Sequence, residues 1–197
     1  MGEGEPKTSR MKKTKVIFLD RDGVINRGRG NDYVDSWKKF HFIPGSLKAL
    51  RLLNEQGYRV IVISNQAGVA KGVYSLRDLS LLTRRMREKV EAAGGRLDAV
   101  YYCPHQKENQ CACRKPKTAL FRRAQRRFGI PFKKTFVVGD SVRDILAGKR
   151  LRCRTILVLS GREKLSRKTE WKVQPDVVKR DLLKAVEWIL RNELHRS

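Results

Sequence analysis

No apolar run in this 197-residue chain exceeds five residues, far below the roughly 18 that a membrane-spanning helix requires. The first residues are polar and charged and carry no apolar stretch of the kind found in a secretion signal. These two absences direct the reading toward a cytoplasmic protein. Cysteine is scarce as well. Only four occur, and three of them fall within eleven residues, which excludes the spaced disulfide framework of a small secreted domain and points to a metal. Acid is short: 20 Asp and Glu stand against 45 Lys and Arg, leaving a net charge of +25. Such a balance attracts polyanions from phosphorylated metabolites to nucleic acids. The basic residues are spread along the chain without interleaved aromatics to stack on bases. Charge alone cannot choose among them: the cations read first as solvated faces that steer anions, with a real polyanion partner as the alternative, nucleic acid disfavoured and no membrane contact expected. Internal repeats and low-complexity segments are absent, and nothing in the sequence marks an exposed apolar patch, so a monomer is expected.

What is present is a core of ordinary content, with hydrophobic residues making up 40% of the chain, enough for one domain of this length. Residues 1–13 are nearly devoid of apolar side chains and are expected to be a mobile tail before a single domain over 14–197. From Val16 onward, short apolar runs alternate with helical periods, the pattern of a parallel sheet covered on both faces. Strands are expected at Val16–Leu19, Arg59–Ile63, Ala99–Tyr102, Thr135–Val138 and Thr155–Leu159. Helices are expected near 45–56, 76–93, 118–129, 142–150 and 180–194. In the second of these, Leu76, Leu79, Leu82, Met86 and Val90 recur at steps of three and four, with Ser75 placed to cap the start. The last helix is expected to pack back on the domain, with a partner-binding helix as the alternative. The stretch from Gly23 to Ile43 lacks a clear period and is long for a connection, which suggests an active-site flap; a small hairpin through Tyr33 and Phe40 is the alternative.

In open parallel sheets, ligands bind beyond the carboxyl ends of the strands, and every polar cluster of this chain falls at such an end. Asp20 and Asp22 follow the first strand and Ser64-Asn65-Gln66 the second. Residues 103–115 follow the third, and Asp140 to Asp144 the fourth. Any one of these aspartates could be a turn or cap residue. Together, Asp20, Asp22 and Asp140, with Asp144 in support, form a hard-oxygen set suited to Mg2+. With Lys115 nearby to offset charge, one carboxylate can attack phosphorus while the second, two residues on, manages the leaving group's proton. Strand alternation would turn Arg21 away from both. The hydroxyl of Ser64 and adjacent backbone N–H groups are placed to hold phosphoryl oxygens.

Cys103, His105, Cys111 and Cys113 form a second constellation, three thiols and an imidazole at the tight spacing of a closed tetrahedral Zn2+ site. With no open position the zinc is expected to be structural, pinning the loop that presents Arg114 and Lys115. Cys153 stands alone and reads as a small buried hydrophobe. His41 and His195 read as surface or packing residues.

The segments FLDRDGVIN, ISNQAGVAKG, CPH…CACRKPK and VVGDSVRDILAG resemble the four motifs of haloacid dehalogenase (HAD) superfamily phosphatases. The zinc-loop pattern is similar to the branch that holds heptose-bisphosphate and histidinol-phosphate phosphatases. The resemblance implies a Rossmann-like fold without a large cap domain. It implies Asp20 as the nucleophile and Asp22 as general acid and base, with Ser64 and Lys115 holding phosphate. Mg2+ would sit between the Asp20 side chain, the Asp22 backbone carbonyl and Asp140. Asn65, Gln66 and Arg114 match positions that contact substrate, and Asp32 and Tyr33 lie where a flap adds further contacts. The implied activity is removal of a phosphate from a heptose bisphosphate. Histidinol phosphate is the runner-up substrate, and a nucleic-acid-binding protein or nucleic-acid 3′-phosphatase on the same fold is a more distant alternative.

Overall fold

The computed structural model describes residues 15–28 and 33–194. The expected tail over residues 1–13, Asp32 of the flap and His195 all lie outside the described residues. Six strands, β1 (Lys15–Leu19), β2 (Tyr58–Asn65), β3 (Ala99–Cys103), β4 (Phe136–Gly139), β5 (Arg154–Val158) and β6 (Val177–Lys179), form one sheet in the order β3-β2-β1-β4-β5-β6. Every pairing is parallel. The strands are joined through α1 (Ser46–Glu55), α2 (Leu76–Ala92), α3 (Ala119–Phe128) and α4 (Val142–Arg150), and the chain closes with α5 (Leu182–Leu194).

Alternation along each strand divides the core in two. Ile17, Leu19, Val60, Val62, Phe136 and Val138 face the side covered by α1, α2 and α5. Val16, Phe18, Ile61, Ile63 and Val137 face the side covered by α3 and α4. Strands buried on both faces have no polar positions to spare, which is why they read as unbroken apolar runs. On α2 the residues Leu79, Leu82, Met86 and Val90 are buried as their spacing requires, while Leu76 is 62% exposed. Ser75 accepts from the Asp78 backbone N–H, and the Asp78 carboxylate accepts from the Ser75 backbone, closing a capping box. The last helix does pack on the domain, against α1, and the Asp181 carboxylate accepts from the Lys184 N–H in its first turn. Cys153 is buried among apolar side chains.

Three expectations need correction. β2 runs two residues beyond the expected end, so Ser64 and Asn65 close the strand instead of following it. β6 was not anticipated: three half-buried residues at a sheet edge carry too little pattern to register. The Gly23–Ile43 stretch is not a hairpin in its described part, although Gly28, Tyr33 and Val34 line the crevice as an active-site flap would. Val24, Ile25, Val34 and Phe40 are buried in the core, Trp37 stacks on Phe40 with ring centroids 5.1 Å apart, and only single bridges link Asn26 to Asp22 and Phe42.

The sheet order reverses direction of progression between β1 and β4, the point at which a crevice opens beyond the carboxyl ends. Asp20 and Asp140 are the residues that follow those two strands.

Candidate active site

Leaving β1, the chain is still tied to β4, because the Asp20 N–H donates to the Val138 carbonyl at 3.0 Å. The Asp20 carboxylate is therefore fixed at the crevice floor. Its Oδ1 accepts from the Arg21 backbone N–H at 2.7 Å and lies 3.0 Å from Lys115 Nζ. Lys115 is 3% exposed, and its Nζ also reaches Asp144 Oδ1 at 2.6 Å and the Ile63 carbonyl at 2.7 Å. Burial alone would lower the lysine, but the Asp144 and Asp20 carboxylates outweigh it and keep the ammonium charged.

Asp20, Asp140 and Asp144 present carboxylate oxygens within 4.8 Å of one another. Burial pushes Asp20 up to about 6, the Asp144 and Asp22 charges push the same way, and Lys115 opposes them. Asp140 is raised by burial and by Asp20 and Asp144. A surplus of confined negative charge on hard oxygen donors is what a small divalent cation would neutralise, so the set fits Mg2+. The side chain of Asp22 is not among the three. Asp144, expected in support, lies beside Asp20 and Asp140 and also caps α4, its Oδ2 accepting from Ser141 Oγ at 2.6 Å. Asp140 is boxed between two loops: a Cβ at Gly23 or Gly161 would lie 2.2 or 2.1 Å from its Oδ2. That oxygen also accepts from the Arg162 N–H at 2.8 Å.

Asp22 is held by three side chains. Its Oδ1 accepts from Arg21 Nη2 at 2.9 Å and Asn26 Nδ2 at 2.8 Å, and its Oδ2 accepts from Gln66 Nε2 at 2.7 Å. Arg21 thus does not point away. The strand has ended at Leu19, alternation no longer applies, and the fully buried guanidinium folds back on Asp22 and lies over the Tyr102 ring at 5.8 Å. Tyr74 O–H donates to Gln66 Oε1 at 2.6 Å, which leaves the Gln66 N–H groups no choice but to face Asp22 and Ser64.

These groups open on a cavity of about 790 Å³ lined by Asp20, Asp22, Tyr33, Ser64, Asn65, Gln66, Arg114, Lys115 and Asp140. The structure therefore brings together every candidate site residue that it describes apart from the thiol cluster. Within the wall, Asn65 clasps the Lys115 backbone through its amide, accepting from the N–H at 3.0 Å and donating to the carbonyl at 3.2 Å. Tyr33 packs edge-on against Tyr74. Sequence reasoning missed Arg21, Asn26 and Tyr74, whose signals are single polar residues in apolar surroundings, and also Arg143 and Arg162. Arg143 is lowered by burial and by the charges of Arg162 and Arg114, a crowding of guanidinium groups at the mouth.

Beyond β3, the sulfurs of Cys103, Cys111 and Cys113 lie 3.2 to 3.6 Å apart, and His105 Nδ1 is 3.2 Å from Cys113. Sulfur atoms on a tetrahedral zinc would be about 3.8 Å apart given a bond of about 2.3 Å, so the donor set fits that ion. No pair is at disulfide distance, and all four cysteines are free. Arg114 is tied to this loop, donating from Nη1 to the His105 carbonyl at 3.0 Å.

A doubly covered parallel sheet with an aspartate pair after β1, a buried lysine and distal carboxylates after β4 defines a HAD-like hydrolase, and the HAD-hydrolase-like family model matches residues 112–185. The chain belongs to the D-glycero-D-manno-heptose 1,7-bisphosphate 7-phosphatase family. It is 37% identical over 147 residues to D-glycero-beta-D-manno-heptose-1,7-bisphosphate 7-phosphatase of Pseudomonas aeruginosa, an alignment covering 75% of this chain and 82% of the relative. With the enzyme of the same name from Pasteurella multocida it shares 40% identity over 155 residues, 75% and 83% of the two chains. The crystal structure of D,D-heptose 1,7-bisphosphate phosphatase from B. bronchiseptica, complexed with magnesium and phosphate, superposes with a TM-score of 0.84 at 32% identity, covering 91% of this chain and 99% of that one.

Proposed function

We propose that the chain removes the 7-phosphate of D-glycero-D-manno-heptose 1,7-bisphosphate by way of an aspartyl phosphate. The observation that carries this reading is Lys115, buried and shared between Asp20 and Asp144 at the floor of a cavity large enough for a phosphorylated sugar. A carboxylate beside a fixed cation can approach a phosphate dianion that would otherwise repel it. Asp20 is the nucleophile: its oxygen bonds to phosphorus as the ester P–O bond breaks. Asp22, aimed by Arg21, Asn26 and Gln66, gives the leaving alkoxide its proton and takes one back from the water that then hydrolyses the acyl phosphate. Ser64 and Lys115 hold phosphoryl oxygens, and Asn65, Gln66, Arg114, Tyr33 and Asp32 complete the substrate seat.

Asp20, Asp140 and the Asp22 backbone carbonyl would hold Mg2+, with Asp144 behind them. When bound, the ion neutralises the incoming phosphate and polarises its oxygens. Cys103, His105, Cys111 and Cys113 would hold a structural Zn2+ that fixes the loop presenting Arg114 and Lys115. The names of the relatives and the guanidinium groups gathered at the mouth support a bisphosphorylated sugar, since a second phosphate would relieve the crowding of Arg143, Arg162 and Arg114.

The test is phosphate release from heptose 1,7-bisphosphate with and without Mg2+, beside histidinol phosphate. Magnesium-dependent turnover with a kcat/KM well above that for histidinol phosphate is expected; the reverse preference refutes the sugar assignment. Asp20→Asn keeps the shape and loses the nucleophile, so kcat should fall by at least about a thousandfold with an unchanged circular dichroism spectrum.

A further inference from the structure

The phosphatase reading uses the crevice and leaves the distribution of charge unexplained. Between Glu108 and Asp140 the chain holds nine Lys and Arg and no acid. Folding gathers much of this excess onto one side. Leu120, Phe121 and Ala124 of α3, Ile130 after it, and Ala147 and Leu151 of α4 all sit in the same apolar cluster on one face of the sheet. Their solvent side presents Arg122, Arg123, Arg126 and Arg127 on α3, Lys133 and Lys134 in the turn that follows, and Arg150 and Arg152 at the end of α4, all exposed. Arg150 Nη1 donates to the Pro116 carbonyl at 3.0 Å, joining that end of α4 to the approach to α3.

Among the described residues, none of the α3 arginines, Lys133, Lys134 or Arg152 has an ion-pair partner. The opposite face differs. On α2, Arg84 pairs with Glu88, and Asp78 and Glu91 interleave with the bases; on α5, Lys184 pairs with Glu187. Unpaired cations crowded on one face repel one another, a cost that a bound polyanion would offset. Two of the arginines are braced on rings, Arg123 over Tyr101 at 5.5 Å and Arg127 over Phe128 at 5.0 Å, so less side-chain freedom is lost on binding.

We propose that the α3–α4 face is a docking surface for the phosphate backbone of double-stranded nucleic acid, bound without regard to sequence. The composition of the face selects that occupant. The exposed large hydrophobics of the described residues are Val73, Leu76, Leu81 and Leu165, none of them on this face, so it has no apolar anchor to enter a lipid interface. Its rings are partly buried, Phe128 beneath Arg127 and Phe132 against Phe18, so among the described residues it offers no fully exposed ring for stacking on single-stranded bases. Arg122 and Arg126, one turn apart and about 6 Å along the axis, instead offer a row of cations to a row of phosphates.

The test is fluorescence anisotropy of a labelled 20-base-pair DNA duplex across a salt series, with the parent and with the triple variant Arg122→Gln, Arg126→Gln, Lys133→Gln. Kd in the micromolar range near 100 mM salt is expected, with log K falling linearly against log salt. In the triple variant the slope should drop by about 3 and Kd rise at least about tenfold, while turnover of a small phosphate ester is retained. The assignment is overturned if the duplex does not bind at 50 mM salt, or if the variant binds with the parent's affinity and slope. It is equally overturned if vesicles rich in anionic lipid compete the duplex away by binding this face more tightly.

Discussion

Asp22 shows how much of the site consists of residues that orient one another. Its carboxylate receives Arg21, Asn26 and Gln66, and Gln66 is itself oriented by Tyr74. Removing the tyrosine hydroxyl frees the amide to rotate and present its oxygen to a carboxylate. Tyr74→Phe should therefore lower kcat by about tenfold with little change in KM, the range found when an orienting partner is lost, and steady-state kinetics will separate the two. A titration prediction belongs to the same scale. In the metal-free protein Asp20 is raised to about 6 from an ordinary 3.8, chiefly by burial, and Asp140 is raised as well. The folded state then binds more protons than the unfolded state between those values, so stability falls as pH rises from about 4 to about 6. Denaturant unfolding of the metal-free protein should show that loss, and Mg2+ should abolish it by holding the carboxylates ionised.

At the level of elements, the loop that leaves β3 carries the most consequence. Cys103 ends the strand in register with Asn65 of β2, and Asn65 clasps Lys115 twelve residues later in the same loop. The thiol cluster and the amide clasp thus fix the two ends of one segment. Cys111→Ser should lower zinc content measured by elemental analysis and raise KM about tenfold, because the lysine is delivered less firmly. The legibility of the fold follows element length. β1, β2, β4 and β5 are dense in β-branched and aromatic residues and were readable within two residues, whereas β6 offers three half-buried residues and was not. The site was readable where chemistry and strand ends coincide, as for Asp20, Lys115 and Asp140. It was not readable where a role depends on chain reversal: Arg21 turns back on Asp22 only because the strand stops one residue before Asp20. Arg143 and Arg162 meet across 19 residues of sequence with no local signal of it.

For the molecule as a whole, +25 of formal charge is carried by a fold whose apolar interior is continuous on both sides of the sheet. Self-repulsion of that size works against the compact state and is screened by salt. Thermal unfolding should therefore move to higher temperature between 20 and 300 mM NaCl, with the larger part of the shift at the low-salt end; a flat or falling profile would show the cations to be locally neutralised. Among these cations one differs in kind. Lys115 Nζ lies within 3.0 Å of the Asp20 and Asp144 carboxylates and donates to the Ile63 carbonyl. Held as the ammonium by the two carboxylates, such an amine has no lone pair to offer an electrophile even though it lines the cavity. Acylation, carbamylation and glycation, which erode the charge of exposed lysines as a protein ages, will leave the Lys115 charge intact for as long as the chain stays folded.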